Sequence, residues 1–121
     1  MLHSMECSFF IPVVRDGNLA DGEPHSTQSW EWLTDELWDR FGGATIAPGF
    51  YEGFYRDPDT GERVSDKSRK YIVAVADDRL SALRQLIAEA CGVFCQKCIY
   101  LSIAGRVEFV EEEVDSSQSD P

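Results

Sequence analysis

The first chemistry to consider is that of the cysteines, because three of the four lie close together. Cys91, Cys95 and Cys98 have the x3 and x2 spacing with which three thiolates can hold an iron–sulfur cluster. Cys91 falls on the core-facing stripe of a predicted helix and Cys98 begins a predicted strand, so we favour small buried side chains instead. Zinc held by Cys95, Cys98 and a distant Cys7 or histidine would need a second paired cluster. A redox pair of Cys95 and Cys98 stays open, and we expect no metal or cofactor.

A locally basic segment inside this acidic chain is the best candidate for a ligand site. Its members are Arg63, Lys67, Ser68, Arg69 and Lys70. Cationic side chains and a hydroxyl beside the start of a strand are good donors to phosphate or carboxylate groups, so we predict that this set binds a small anion. The alternative is a solvated hairpin in which these charges balance Asp57, Asp59 and Asp66, at little gain in stability.

The sequence shows no constellation of catalytic residues. His3 lies near the amino terminus and His25 in a predicted loop, with no serine or cysteine motif near either, so a nucleophilic triad has no support. The carboxylates Asp35, Glu36 and Asp39 fit the wet face of a helix better than an acid–base pair. A phosphate-binding loop of the G-x-x-x-x-G-K kind is absent. We therefore predict no catalytic residues.

The elements that must position these side chains are clearest between Lys70 and Val110. Apolar residues fill Tyr71–Ala76, as expected of a strand in the middle of a sheet. A second strand is predicted at Cys98–Ile103, and a turn after it leads into a short strand at Val107–Val110. This half of the chain therefore has the order strand, helix, strand and return strand.

The helix within this half is predicted from Arg79 to Cys91. Its apolar stripe consists of Leu80, Leu83, Ile87, Ala90 and Cys91. Such a stripe needs a sheet to cover. We expect Asp77 or Asp78 to cap the amino-terminal end and Gly92 to end the helix.

The first half of the chain predicts one strand and one helix joined by a loop. A strand is predicted at Cys7–Val14, although Pro12 removes a ladder donor and should end the strand or place it at an edge. Ser26 or Thr27 can cap the helix, and Gly42 with Gly43 can end it.

A hairpin follows this helix. Strand-like residues at 44–47 and 50–56 precede the turn signal Asp57–Gly61. The whole segment Phe50–Lys70 is long, aromatic and locally basic, which is typical of a projecting functional loop.

Taken in order, the elements predict an α+β fold. Two helices of similar length each lie between strands. This order favours a ferredoxin-like βαββαβ sandwich, with both helices on one face of an antiparallel sheet and a short extra strand at the carboxyl end. The length suits a single domain, which we place at residues 7–112. Residues 1–6 carry no pattern, and residues 113–121 have the composition of an acidic disordered tail.

The net charge excludes some partners. At −11, it argues against a nucleic-acid phosphate backbone as the main partner, because such binding draws on clustered Lys and Arg. The sequence contains no apolar run long enough to span a membrane and no secretory signal pattern. We therefore expect a cytoplasmic protein that contacts neither nucleic acid nor membrane.

The second half of the chain resembles the PII-type signalling proteins and their CutA-like relatives. The resemblance rests on the run Lys70–Val75, the helix Arg79–Cys91 and the stretch Lys97–Val110. It implies a ferredoxin-like oligomer that binds small ligands in clefts between subunits and contacts partners through a long loop, here residues 50–69. The turn Cys91–Cys98 lacks the glycine-rich basic sequence of nucleotide-binding members, so the resemblance does not extend to a nucleotide.

The predicted function follows from these observations. We expect a non-enzymatic regulatory or adaptor module, a dimer or trimer, that binds a small anion or a protein through the hairpin Phe50–Lys70. Trp32, Tyr51 and Tyr55 are the expected interface residues, because large aromatic side chains are enriched at interfaces. The alternatives are a small dimeric α+β enzyme with a cleft between sheet and helices, and an acidic inhibitor that mimics DNA.

Overall fold

The structure is a computed structural model that describes residues 3–112, and it confirms the predicted α+β, ferredoxin-like class. The strands are β1 (Ser4–Pro12), β2 (Thr45–Ile46), β3 (Tyr51–Arg56), β4 (Arg63–Ala76), β5 (Cys98–Ile103) and β6 (Arg106–Glu111). The helices are α1 (Thr27–Phe41) and α2 (Leu80–Val93). Neighbouring strands are antiparallel in the order β2-β4-β1-β5-β6, and β3 pairs with the outer part of β4.

The core lies between one face of the sheet and the two helices. Every second residue of the central strands is buried: Cys7, Phe9, Ile11, Tyr71, Val73, Val75, Ile99, Leu101 and Ile103. The helices cover these residues with Leu33, Leu37, Leu83, Leu86 and Ile87. Because successive side chains of a strand alternate between faces, the intervening residues form the other face. We call it the open face, since no helix of residues 3–112 covers it.

Helix α1 begins and ends where the sequence predicts. The Ser26 side chain accepts a hydrogen bond from the backbone N–H of Ser29 at 3.3 Å, which satisfies one of the free donors of the first turn. Gly42 follows the last turn with a φ of 79°, a conformation that glycine adopts without a steric penalty, and donates to the Trp38 carbonyl at 2.9 Å.

The two ends of α2 differ from the prediction. Neither Asp77 nor Asp78 caps the helix; the chain enters through a 3-10 turn over Asp77–Arg79 with no side-chain cap. Gly92 lies inside the helix and does not end it. Phe94, just beyond the helix, is fully buried, so its place in the core favours continuing the helix past Gly92. The reversal comes at Cys95, whose φ is 50°.

Strand β1 begins at Ser4, earlier than the predicted Cys7, because the long partner strand β4 continues to Ala76 and pairs with Ser4 there. Its end agrees with the expected effect of Pro12, which is the last residue of the strand. Val13 makes one further bond, donating to the Lys67 carbonyl at 2.9 Å.

The predicted hairpin is a regular two-stranded arm formed by β3 and the outer part of β4. Its tip is stabilised by Asp57, whose carboxylate accepts from the backbone N–H groups of Asp59 at 2.8 Å and Thr60 at 3.3 Å. The Lys97 ammonium lies 3.6 Å from the Asp59 carboxylate, so the tip contacts the turn that follows α2.

Within residues 3–112, no helix is both long and apolar enough to cross a membrane. The predicted acidic tail at 113–121 lies outside the described residues, as do residues 1 and 2.

Candidate functional site

The predicted basic site does not converge on one point. Lys67 and Arg69 stand on the same side of β4 as the buried Tyr71, whereas Ser68 and Lys70 alternate onto the open face. Arg63 lies far out on the arm, with its guanidinium carbon 5.7 Å from the ring centroid of Phe54. The structure places these residues in three surroundings, and their binding of an anion as one set stays a prediction.

The open face instead places a carboxylate in an unusual position. Asp66 of β4 pairs with Gly53 of β3, and a side chain at Gly53 would come within 3.4 Å of the Asp66 carboxylate. Burial raises the pKa of Asp66. None of the ion pairs within residues 3–112 includes Asp66, so it is a partly desolvated carboxylate without a paired cation in that part of the chain.

Tyr55 lies near further acidic groups in the same region. Partial burial raises the pKa of its hydroxyl, and the charges of Asp16 and Asp66 raise it further. Burial also raises the pKa of the Cys98 thiol, with contributions from Glu111 and Asp16. Cys98 and Glu111 are partners across β5 and β6, and the backbone N–H of Asp16 donates to the Cys95 carbonyl at 3.0 Å. The effect of a charge is screened over roughly 10 Å. The five residues Asp16, Tyr55, Asp66, Cys98 and Glu111 therefore lie in one region, which we call the acidic site.

A line of aromatic rings adjoins the acidic site on the open face. The ring centroids of Tyr51 and Phe10 are 5.6 Å apart, those of Phe10 and Tyr100 5.3 Å, and those of Tyr100 and Phe109 5.8 Å. We call these four residues the aromatic row. The Lys70 ammonium lies 5.5 Å from the Tyr51 ring centroid and 5.9 Å from that of Phe10.

The row and the acidic site are continuous along the strands. Cys98 stands two residues before Tyr100 on β5, and Glu111 two residues after Phe109 on β6, so each pair shares a face. Aromatic faces and carboxylates both attract cations. A carboxyl group whose pKa is raised is also a better proton acceptor when ionised. This region is therefore suited to an organic cation, with Asp66 as a candidate base.

The surroundings of Cys91 indicate a structural role for this cysteine. Cys91 is buried and its thiol donates to the Val110 carbonyl at 3.2 Å, while burial raises its pKa to about 12. Such a thiol stays protonated and is a poor ligand or nucleophile. Cys95, at the turn after α2, is half-buried and Cys98 is exposed, so the expectation of small buried side chains is confirmed for Cys91 and wrong for these two. All four cysteines are free thiols. No group of three or more His, Cys, Asp or Glu side chains in residues 3–112 is placed to hold a metal ion.

The expected interface residues lie in two places. Tyr51 and Tyr55 are exposed on the open face side of the arm. Trp32 is half-buried, with its ring centroid 6.4 Å from that of Phe94, so part of its surface belongs to the core. Their contact with another chain stays a prediction.

From the sequence, Asp66 is expected only to balance the charges of nearby lysines and arginines. What distinguishes it is its pairing with Gly53, which depends on the register between β3 and β4. The signal in the sequence is Gly53, which lies in a strand with the aromatic residues Tyr51, Phe54 and Tyr55. A glycine inside a strand often marks the close approach of another group.

Two solved structures share this fold. A phage SAM lyase in complex with S-methyl-5'-thioadenosine has a TM-score of 0.63 and 16% identity, with 89% of this chain and 87% of that chain covered. A phage SAM lyase in the apo state has a TM-score of 0.60 and 14% identity, with 91% and 90% covered. No protein-family model and no curated protein matches the sequence.

These neighbours correct the functional prediction. Both are enzymes, so the expectation of a non-enzymatic regulatory or adaptor module is contradicted, and the alternative of a small α+β enzyme is better supported. The prediction failed because it relied on the absence of recognisable catalytic motifs. A partly desolvated carboxylate created by strand pairing leaves no such motif. The neighbours do not bear on the resemblance to PII-type proteins, which stays a prediction.

Proposed function

We propose that this chain is a lyase that cleaves S-adenosylmethionine and releases S-methyl-5'-thioadenosine. The observation that carries the proposal is a fold shared over nearly the full length of both chains with a lyase that holds S-methyl-5'-thioadenosine. At 16% identity the likeness supports the fold alone, so the chemistry of the acidic site must supply the rest.

The acidic site suits this substrate because S-adenosylmethionine carries a permanent positive charge on sulfur. Asp66 pairs with no cation within residues 3–112, and ring faces nearby belong to Tyr55 and to Tyr100 and Phe109, the part of the aromatic row against which Lys70 does not lie. A sulfonium placed among these groups gains from the carboxylate charge and from the rings. The net charge of −11 also favours the approach of a cation.

The reaction breaks the bond between sulfur and the four-carbon chain that carries the amino and carboxyl groups. The electron pair of that bond stays on sulfur, which becomes a neutral thioether. As this bond breaks, the chain either loses a proton from the neighbouring carbon to a base, and the C–H electron pair forms a double bond, or its own carboxylate attacks the carbon that leaves sulfur and closes a lactone. Asp66 would accept the proton in the first route and only hold the cation in the second.

The test uses the purified full-length protein incubated with S-adenosylmethionine, with the products separated by liquid chromatography and identified by mass spectrometry. We expect S-methyl-5'-thioadenosine to form faster than in a protein-free blank. The Asp66→Asn variant should be slower by about a hundredfold or more, as for loss of a catalytic base. Asp39→Asn, the same change on an exposed helix position, should keep the rate of the unchanged protein.

The possible outcomes separate the parts of the proposal. Product formation no faster than in the blank would overturn the lyase assignment. Formation at the same rate by Asp66→Asn would keep the lyase and remove Asp66 from the reaction. The co-product, an unsaturated amino acid or a lactone, identifies the route. The homo-oligomer and the cytoplasmic location stay predictions from the sequence.

A further inference from the structure

A second polar cluster lies on the helix-covered side of the sheet, away from the acidic site. Its cation is Arg69, half-buried on β4 with its guanidinium carbon 4.1 Å from the ring centroid of Trp30. Stacking on an aromatic ring uses the flat face of a guanidinium and leaves its in-plane N–H groups free. None of the ion pairs within residues 3–112 includes Arg69.

Tyr71, two residues along the same side of β4, adds a second donor. It is 1% exposed, and its ring stacks on that of Phe9 with centroids 5.2 Å apart. Within residues 3–112 the buried hydroxyl finds no acceptor for its proton. Burial raises the pKa of Tyr71, while hydrogen bonding to the Arg69 guanidinium and the charge of Arg69 oppose that effect. The Arg69 guanidinium therefore lies next to the Tyr71 oxygen, and the Tyr71 O–H is a buried donor without an acceptor, which costs stability.

His25 and Phe94 hold the indole in place. The His25 ring centroid lies 5.3 Å from that of Trp30 and 4.9 Å from that of Phe94, both edge to face. Its Nε2 lies 2.7 Å from the Pro12 carbonyl, so this nitrogen carries the proton and donates it. The contacts with His25 and Phe94 hold the Trp30 indole in place, so the Arg69 guanidinium stacks on a fixed ring.

We propose that Arg69 and Tyr71 bind the carboxylate group of a small organic acid. A carboxylate is flat and carries one charge, so it accepts two parallel bonds from one guanidinium and a third from the tyrosine hydroxyl. Phosphate is tetrahedral and more highly charged, and a single half-buried cation would leave part of that charge unpaired. The acidic site lies on the other face of the sheet, so the carboxylate belongs to a separate small acid.

Acetate is the probe, titrated into the full-length protein at constant ionic strength with chloride as the matched salt. We expect the NMR signals of the Arg69 Nε–H and the Trp30 indole N–H to shift with acetate and not with chloride. Tyr71→Phe keeps the shape of the core and should weaken acetate binding about tenfold, since a hydrogen bond to a charged group is lost. Arg69→Gln should abolish the shift of the indole signal.

Arg79→Gln is the matched control, because Arg79 is exposed and its guanidinium also stacks on a ring, 5.6 Å from the centroid of Phe41. It should leave acetate affinity unchanged. Absence of the shift in the unchanged protein, or equal losses in Arg69→Gln and Arg79→Gln, would overturn the site. Acetate should also leave the KM for S-adenosylmethionine unchanged, because the acidic site lies on the other face of the sheet; a raised KM would overturn a site for a separate acid.

Discussion

The burial of Asp66 comes at the expense of stability. Its carboxylate is partly desolvated and pairs with no cation within residues 3–112, so ionisation in the folded state is unfavourable. Groups of this kind are concentrated at functional sites, where their altered acidity is useful. Replacing such a residue often stabilises a protein while removing its activity.

The Asp66→Asn variant should accordingly be more stable than the unchanged protein near neutral pH. Burial raises the pKa of Asp66 above its ordinary value of 3.8, so the folded state binds the proton more tightly than the unfolded state. The contribution of Asp66 to stability is therefore intact below that ordinary value and is lost as the pH rises through the folded pKa. Urea unfolding at about pH 3.5 and about pH 7.5 should show the gain of the variant only at the higher pH. A variant that loses stability at the higher pH would mean that a cation does pair with Asp66.

The elements themselves are stabilised by local signals of unequal strength. Helix α1 has a side-chain cap at Ser26 and a left-handed Gly42 at its end, whereas α2 has no side-chain cap. The stability of α2 rests on burial instead, since six of its residues are buried. The two helices should therefore respond differently to changes at their ends.

Ser26→Ala should destabilise the protein by about 1 kcal/mol, because the N–H of Ser29 loses its side-chain acceptor and keeps only the Ser26 carbonyl at 3.1 Å. Thr34→Ala is the control, at an exposed position in the middle of the same helix where no cap is lost. Thermal unfolding followed by circular dichroism measures both. If Thr34→Ala cost as much as Ser26→Ala, the cap would contribute nothing specific.

The same contrast explains how much of the fold the sequence predicts. Strand Tyr71–Ala76 and helix α1 follow from local patterns of apolar residues and caps, and both are confirmed. The position of Gly92 inside α2 depends on the burial of Phe94, a tertiary contact that no local pattern contains.

The candidate sites depend even more on tertiary structure. The basic residues are close in sequence, but alternation along β4 sends Arg69 towards the core and Lys70 to the open face. Tyr55 and Cys98 are far apart in sequence, and the tip of the arm meets the turn before β5, where the Lys97 ammonium lies 3.6 Å from the Asp59 carboxylate. The chemistry of each residue type can be read from the sequence. Which of these residues lie together depends on the register of the sheet.

At the scale of the whole molecule, β4 connects all the parts described above. It pairs with β1 over nine residues, with β2 near the sheet edge and with β3 along the arm. The helix-covered side of β4 carries Arg69 and Tyr71, and its side on the open face carries Asp66. The two proposed sites are therefore built on opposite faces of one strand, which fixes their separation.

The tip of the arm has a further consequence for how the chain can be divided. A break after Asp59 leaves β1, α1, β2 and β3 in one piece, while β1 pairs on both sides with strands of the other piece. We expect fragments 1–59 and 60–121, expressed together, to reassemble and co-purify. Fragments divided after Leu86 would interrupt α2 within the core and should not. Pieces divided at the tip that fail to associate would show that an unbroken connection between β3 and β4 is required to form the sheet.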